Sequence, residues 1–166
     1  MRGRIRACIV ESAGVRNAGT LAATVVTLLN HLLTTFRACA ARDGHVVGRD
    51  DGDQDLGRTE LFVAHSIEAQ RHADQIEARI IQLGRRPDPA TGGLVRGAAG
   101  TATGHAFIDF IKKDMLAQCI AMDSCRDVVD YLGDQDPDTR RLLEGILAGE
   151  KKHAEALADL LESLPL

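Results

Sequence analysis

Two groups of residues have types and spacings that suit metal chemistry. Glu150 and His153 are three apart. On a helix that puts them one turn apart on one face. A carboxylate and an imidazole so placed can bind the same divalent ion. His65, Glu68 and His72 recur at i, i+3 and i+7, so all three share one helical stripe. Each group alone has a bland explanation. Glu-x-x-His occurs often on solvated helices, and the His65–His72 segment also carries Glu60, Arg71, Asp74, Glu77 and Arg79, as a solvated face would. Their joint presence on two separate helical segments is what points to a shared site.

Positioning such residues requires long helices. The first helical pattern spans 17–42, with Leu21, Val25, Leu28, Leu29, Leu32, Leu33 and Phe36 at helical spacing. The Gly- and Asp-rich stretch GHVVGRDDGDQDLG then reads as a loop. A second helix spans 58–83, with Gly84 as its stop and Pro87 and Pro89 blocking continuation. Residues 84–103 form a Gly/Pro/Ala-rich connection with no strand pattern, long enough to cross from one end of a bundle to the other. A third helix runs over 105–132, ending at Gly133. The fourth starts with Asp136 as N-cap and Pro137 at the first helical position, and runs to about Ser163. Two long hairpins joined by one crossover predict an all-α, up-down-down-up four-helix bundle. Residues 1–16 read as a basic tail, in which Arg2, Arg4, Arg6 and Arg16 oppose only Glu11, and residues 17–166 as the bundle domain.

Composition agrees. The 166 residues are 45% hydrophobic and only 3% aromatic, which excludes disorder and suits closely packed helices. A net charge of −4 gives no global case for nucleic acid or an anionic membrane. No apolar run is expected to cross a bilayer, and the N-terminus lacks the apolar core of a secretory signal. The four cysteines show no Cys-x-x-Cys spacing, which suits reduced thiols in a cytoplasm.

The segments HSIEAQRHADQIEARIIQLGRRPD and DPDTRRLLEGILAGEKKHAEALADLLES resemble the second and fourth helices of bacterioferritins and Dps-type ferritins. The resemblance covers the third helix loosely. It implies an iron-binding protein that serves iron(II) oxidation, storage or detoxification. Carried over residue by residue, it makes Glu150, His153 and His72 metal ligands. The second-helix bridging Glu falls on Ala69, with Glu68 one position off; the third-helix Glu falls on Gln118; the first-helix Glu falls on Phe36. About half the two-iron ligand set therefore remains. His72, His153 and Glu150 could hold a single ion instead, joined by Glu68 or the amide oxygen of Gln118; iron(II), zinc or another divalent metal suits such ligands.

The resemblance has further implications. Haem is not expected, because Gln70 stands where bacterioferritins carry the haem-binding Met. A Dps-type intersubunit site would have to draw on His31, His45, Asp74 and Glu77, and the spacing of His45 fits it poorly. Cys119 and Cys125, six apart, point in different directions and do not form a thiol pair. The Arg-bearing tail could touch DNA phosphates, as in some Dps proteins, though a solvated end is the simpler expectation. A homo-oligomer follows, with 12 subunits favoured over 24 because no fifth helix follows the fourth. The remaining alternative is a ferritin-like structural or binding subunit without catalysis.

Overall fold

The structure, a computed structural model, describes residues 2–12, 18–47, 56–88 and 105–164. It contains α1 (Arg2–Ser12), α2 (Ala18–Val47), α3 (Leu56–Gln82), α4 (His105–Leu132) and α5 (Pro137–Ser163), with no strand among the described residues. Helices α2 to α5 make the expected four-helix bundle. Each packs beside two others, with α2 diagonal to α5 and α3 diagonal to α4. Cross-helix pairs fix the directions. Asp43 meets His65 and Phe36 meets His72, so α2 and α3 run antiparallel. Gln118 meets Glu150 and Asp114 faces His153, so α4 and α5 do too. Arg79 reaches Asp136 while His72 reaches Glu150, which makes α3 and α5 antiparallel. The connection that must cross the bundle lies mostly in 89–104, outside the described residues.

The helix ends follow from local chemistry. The Asp136 side chain accepts from the backbone N–H of Thr139 at 3.0 Å, with Pro137 at the first helical position. At the end of α3, Gly84 adopts φ 73°, and Arg85 N–H bonds the Ile80 carbonyl, capping the open carbonyls.

Three differences from the sequence expectations matter. First, α2 continues through Asp43 to Val47 instead of stopping at 42. The extension keeps Asp43 buried on the bundle side, paired with His65. Gly44 permits it, because a Cβ there would lie 3.3 Å from Ser66 Oγ on α3.

Second, residues 2–12, read as tail, are helical. Ile5, Cys8 and Ile9 form a short i, i+3, i+4 stripe against the core, and Ile5 is fully buried. Arg2 and Arg6 both pair with Asp127 of α4 at 3.0 Å, and Arg2 also reaches Asp123 at 2.7 Å.

Third, Leu21–Gly44 of α2 is long and apolar enough, by length and composition, to cross a membrane. In the fold its apolar stripe, Val25, Leu28, Leu29, Leu32, Leu33 and Phe36, is the bundle core.

The core is not continuous. One apolar cluster gathers the first half of α2 with Ile76, Ile80, Val128, Leu132, Leu143 and Ile146. Another gathers Phe62, Phe107, Ile111, Leu157 and Leu164. Between them lies a polar layer.

Candidate metal centre

The polar layer sits on the same inward stripes as the apolar clusters. Along α5 the inward positions run Leu143, Ile146, Glu150, His153, Leu157. Along α3 they run Phe62, His65, Ala69, His72, Ile76; along α4, Phe107, Ile111, Asp114, Gln118, Cys125. The heptad-like spacing that builds the core therefore also delivers Asp43, His65, His72, Asp114, Gln118, Glu150 and His153 into its middle, each at most 7% exposed. Burying so many charged and polar groups is costly unless each finds a partner.

Most do, in two linked chains. In the first, His72 Nδ1 bonds Glu150 Oε1 at 2.8 Å, and Gln118 Nε2 donates to Glu150 Oε2. Both oxygens of Glu150 are thus engaged, and His65 Nε2 lies 3.6 Å from the second. Burial alone would push the Glu150 carboxyl up; the imidazoles of His65 and His72 outweigh it and hold it at about 2.

In the second chain, Asp43 Oδ2 pairs with His65 Nδ1 at 2.6 Å. Arg42 Nε lies 3.5 Å from Asp43 Oδ1, and Arg42 Nη2 donates to Asp114 Oδ1. Burial would lower His65, but its bonds to Asp43 and Glu150 prevail and raise it to about 9. Asp43 itself is pushed up by burial and by the nearby Asp114 carboxylate, against the pull of His65. The rings of His65 and His153 are stacked.

A few polar atoms in this layer are buried without a hydrogen-bond partner: Asp114 Oδ2, His153 Nε2, Asp43 Oδ1, Arg42 Nε and Gln118 Oε1. Two of them, Asp114 Oδ2 and His153 Nε2, face each other at 3.9 Å, too far to bond. His65, Asp114 and His153 can each offer one metal donor atom such that the three lie within 4.8 Å of one another.

The residues singled out from sequence are partly united. Glu150, His153, His72 and Gln118 all lie in the layer. Glu68 does not: its side chain is 37% exposed, its carboxylate is held by Arg71 at 3.0 Å, and it approaches His72 Nε2 only to 3.7 Å. Phe36 and Ala69 are fully buried, and the Phe36 ring packs edge-on against His72 at 5.5 Å.

The two-iron set implied by the resemblance does not fit these residues. That set takes a Glu from each of two helices and a Glu-x-x-His from each of the other two. Helices α2 and α4 contain no Glu at all. Of the Dps-type candidates, Asp74 accepts from Gln70 and Glu77 from Arg37. His31 stands on α2, and the side chain of His45 lies outside those described. Burial favours the neutral form of two thiols near the layer, pushing Cys39 up to about 12 and raising Cys125 as well.

Sequence reasoning missed Asp43, Asp114 and Arg42, and saw His65 only as part of a stripe with Glu68 and His72. A signal was present. Asp114 continues the apolar series Phe107, Ile111 at i+3, and Asp43 continues Phe36, Cys39 at i+4. An acid falling on an apolar stripe is a buried acid, and buried acids need partners.

The sequence pattern of the ferritin-like domain matches residues 52–166. No curated protein sequence matches the chain. Among solved structures, the chain is similar to the dodecameric thioferritin, a bacterioferritin-related protein, from Bacteroides fragilis, with TM-score 0.72, 22% identity, and coverage of 85% of this chain and 86% of that one. It is similar to a variant of Dps1 from Mycobacterium smegmatis, with TM-score 0.71, 20% identity, and coverage of 84% and 96%. It is also similar to the bacterioferritin BfrA of Mycobacterium tuberculosis, with TM-score 0.68, 22% identity, and coverage of 83% and 84%. At these identities the likeness concerns the fold.

Proposed function

The chain belongs to the ferritin-like family, and from that premise we propose that it binds iron(II) inside its helical bundle and serves iron oxidation, storage or detoxification. The observation that carries this reading is the polar layer. Three imidazoles and three carboxylates, His65, His72, His153, Asp43, Asp114 and Glu150, are gathered in an otherwise apolar core. A structural core has no use for so many costly groups, whereas a cation repays them.

Phe36, Ala69 and Gln118 favour a second reading, a ferritin-like subunit that binds a metal without oxidising it. Anaerobic titration with iron(II), followed by oxygen, separates the two. Catalysed oxidation appears as ferric absorbance growing faster than in a protein-free control. Iron retained without a rate above that control selects the second reading. No retention and no rate removes the first.

Storage requires a shell, and we propose a homo-oligomer of 12 subunits, in line with the dodecameric thioferritin of similar fold. Light scattering after size exclusion checks it; a dimer makes storage inside a shell untenable. A DNA-protecting shell has little support, because Arg2 and Arg6 already pair with Asp123 and Asp127.

A further inference from the structure

We infer that this subunit takes one divalent transition-metal ion per bundle, held by His65, His153 and Asp114, with Asp43 and Arg42 as its supporting charges. The inference rests on the reading above that the bundle takes a metal, and it specifies which side chains do so and how many ions they hold.

The displacement is consistent on three helices, and the fourth keeps its histidine. Relative to the positions carried over from the resemblance, Asp43 follows Phe36 by seven residues, His65 precedes His72 by seven and Asp114 precedes Gln118 by four, while His153 stays in its carried-over place. Because α2 runs opposite to α3 and α4, all three steps lead the same way along the bundle, toward the end where α2 finishes and α3 begins, which is also the side of Glu150 on which His153 stands. At 1.5 Å per residue they amount to roughly 6–10 Å.

Two of the three donors there have no hydrogen-bond partner. Asp114 Oδ2 and His153 Nε2 are buried, unpartnered and aimed at each other across 3.9 Å. The Nδ1 of His65 is occupied by Asp43 at 2.6 Å, so its ligand atom is Nε2, which pairs with Gln118 Nε2 at 3.3 Å and exchanges that contact for the ion. A carboxylate behind a ligating imidazole fixes its tautomer and orientation. Two imidazoles and one carboxylate suit iron(II) or zinc. One turn away, Glu150 is closed instead, with one oxygen bound by His72 and the other by Gln118.

Charge sets the number of ions. Asp43, Asp114 and Glu150 bring three negative charges into the layer, and the Arg42 guanidinium, fixed to Asp114 and beside Asp43, offsets one. Two remain, of which the His65 imidazolium offsets one in the metal-free bundle; a single divalent cation that displaces the His65 proton matches both. A second divalent ion would leave an uncompensated positive charge in the core. Arg42 thus stands in for a second metal.

The test is anaerobic titration of the full chain with zinc(II) and, separately, iron(II), with bound metal counted by elemental analysis. One ion per subunit is expected. His65→Ala, His153→Ala and Asp114→Asn each weaken binding at least hundredfold, Asp43→Asn weakens it roughly 10–100-fold, and His72→Ala retains the ion. Helical content measured on each variant separates lost ligands from lost fold. X-ray absorption of the zinc-loaded wild type needs no variant, and no metal–metal distance is expected in it. Two ions per subunit, a metal–metal vector at about 3.5–4 Å, binding abolished by His72→Ala but not by Asp114→Asn, or no binding at all overturns the inference. One ion bound without iron oxidation or storage upholds it while the function proposed above fails. Two ions with rapid oxidation does the reverse.

Discussion

The imidazoles of His65 on α3 and His153 on α5 lie face to face, with ring centroids 3.3 Å apart and an interplanar angle of 4°. Parallel rings direct their nitrogen lone pairs parallel, whereas two ligands of one ion must aim at a common point about 2.0–2.1 Å from each nitrogen. Metal binding therefore fans the stack open. Zinc titration followed by proton NMR of the histidine rings is expected to shift the His65 and His153 signals together, as each leaves the ring current of the other. The His72 signals move less. Equal movement of all three would place the ion elsewhere.

Arg42 ties Asp43 and Asp114 across α2 and α4. Replacing it by Gln leaves the buried Asp114 carboxylate without its cation, while Asp43 keeps His65. Breaking a buried pair in this way costs about 3–5 kcal/mol, so Arg42→Gln is expected to lower the unfolding midpoint sharply in the metal-free chain. A divalent ion replaces the missing positive charge, so zinc should raise the midpoint of the variant more than that of the wild type. Denaturant unfolding with and without zinc measures both; equal gains would show that Arg42 and the ion do not share the same carboxylates.

Two glycines of α5 provide a graded test of how tightly the layer is packed. A Cβ at Gly145 would meet nothing within 4 Å. Gly145→Ala should then gain the full helix-propensity difference, about 1 kcal/mol. A Cβ at Gly149 would lie 2.9 Å from Glu68 Oε1 and 3.3 Å from His72 Cε1. The half-exposed Glu68 can swing away, but the His72 ring is held by Glu150 and has little freedom. Gly149→Ala should therefore gain less than Gly145→Ala, and urea denaturation of the two variants side by side gives the difference.

Asp136 caps α5 and also accepts from Arg79 at 2.9 Å. Burial alone would raise its carboxyl, but the bonds from Thr139 and Arg79 outweigh it and hold it below the usual range. A depressed carboxylate contributes stability above its unfolded value of about 3.9, and that contribution is lost as pH falls through the lower folded value. Asp136→Asn keeps a capping oxygen and loses the charge. It is expected to cost about 1 kcal/mol or less near neutral pH, with the gap to wild type closing below about pH 4. A gap that persists in acid would show that the cap geometry matters and the charge does not.

The four long helices, most of their ends and the antiparallel hairpins are legible in the residues alone. These follow from local rules: a 3.6-residue apolar stripe, an Asp-Pro start before α5, and Gly stops after α3 and α4. The inward direction of Glu150, His153 and His72 is legible too, since a residue on an apolar stripe faces the core whatever the partner helix is. Which inward groups meet depends on how the helices pack. Glu68 lies one position off its stripe, about 100° around the helix, and so reaches Arg71 and the rim. Asp43 and Asp114 are distant in the chain from His65 and His153, and only the vertical register of four packed helices sets them at one depth. That register depends on the fit of the apolar clusters above and below, which no spacing within a single helix records. The helical state of residues 2–12 was hidden for the same reason. The stripe of Ile5, Cys8 and Ile9 specifies a helix only once the groove of α2 and α4, and the Asp127 carboxylate beside it, are present to receive it.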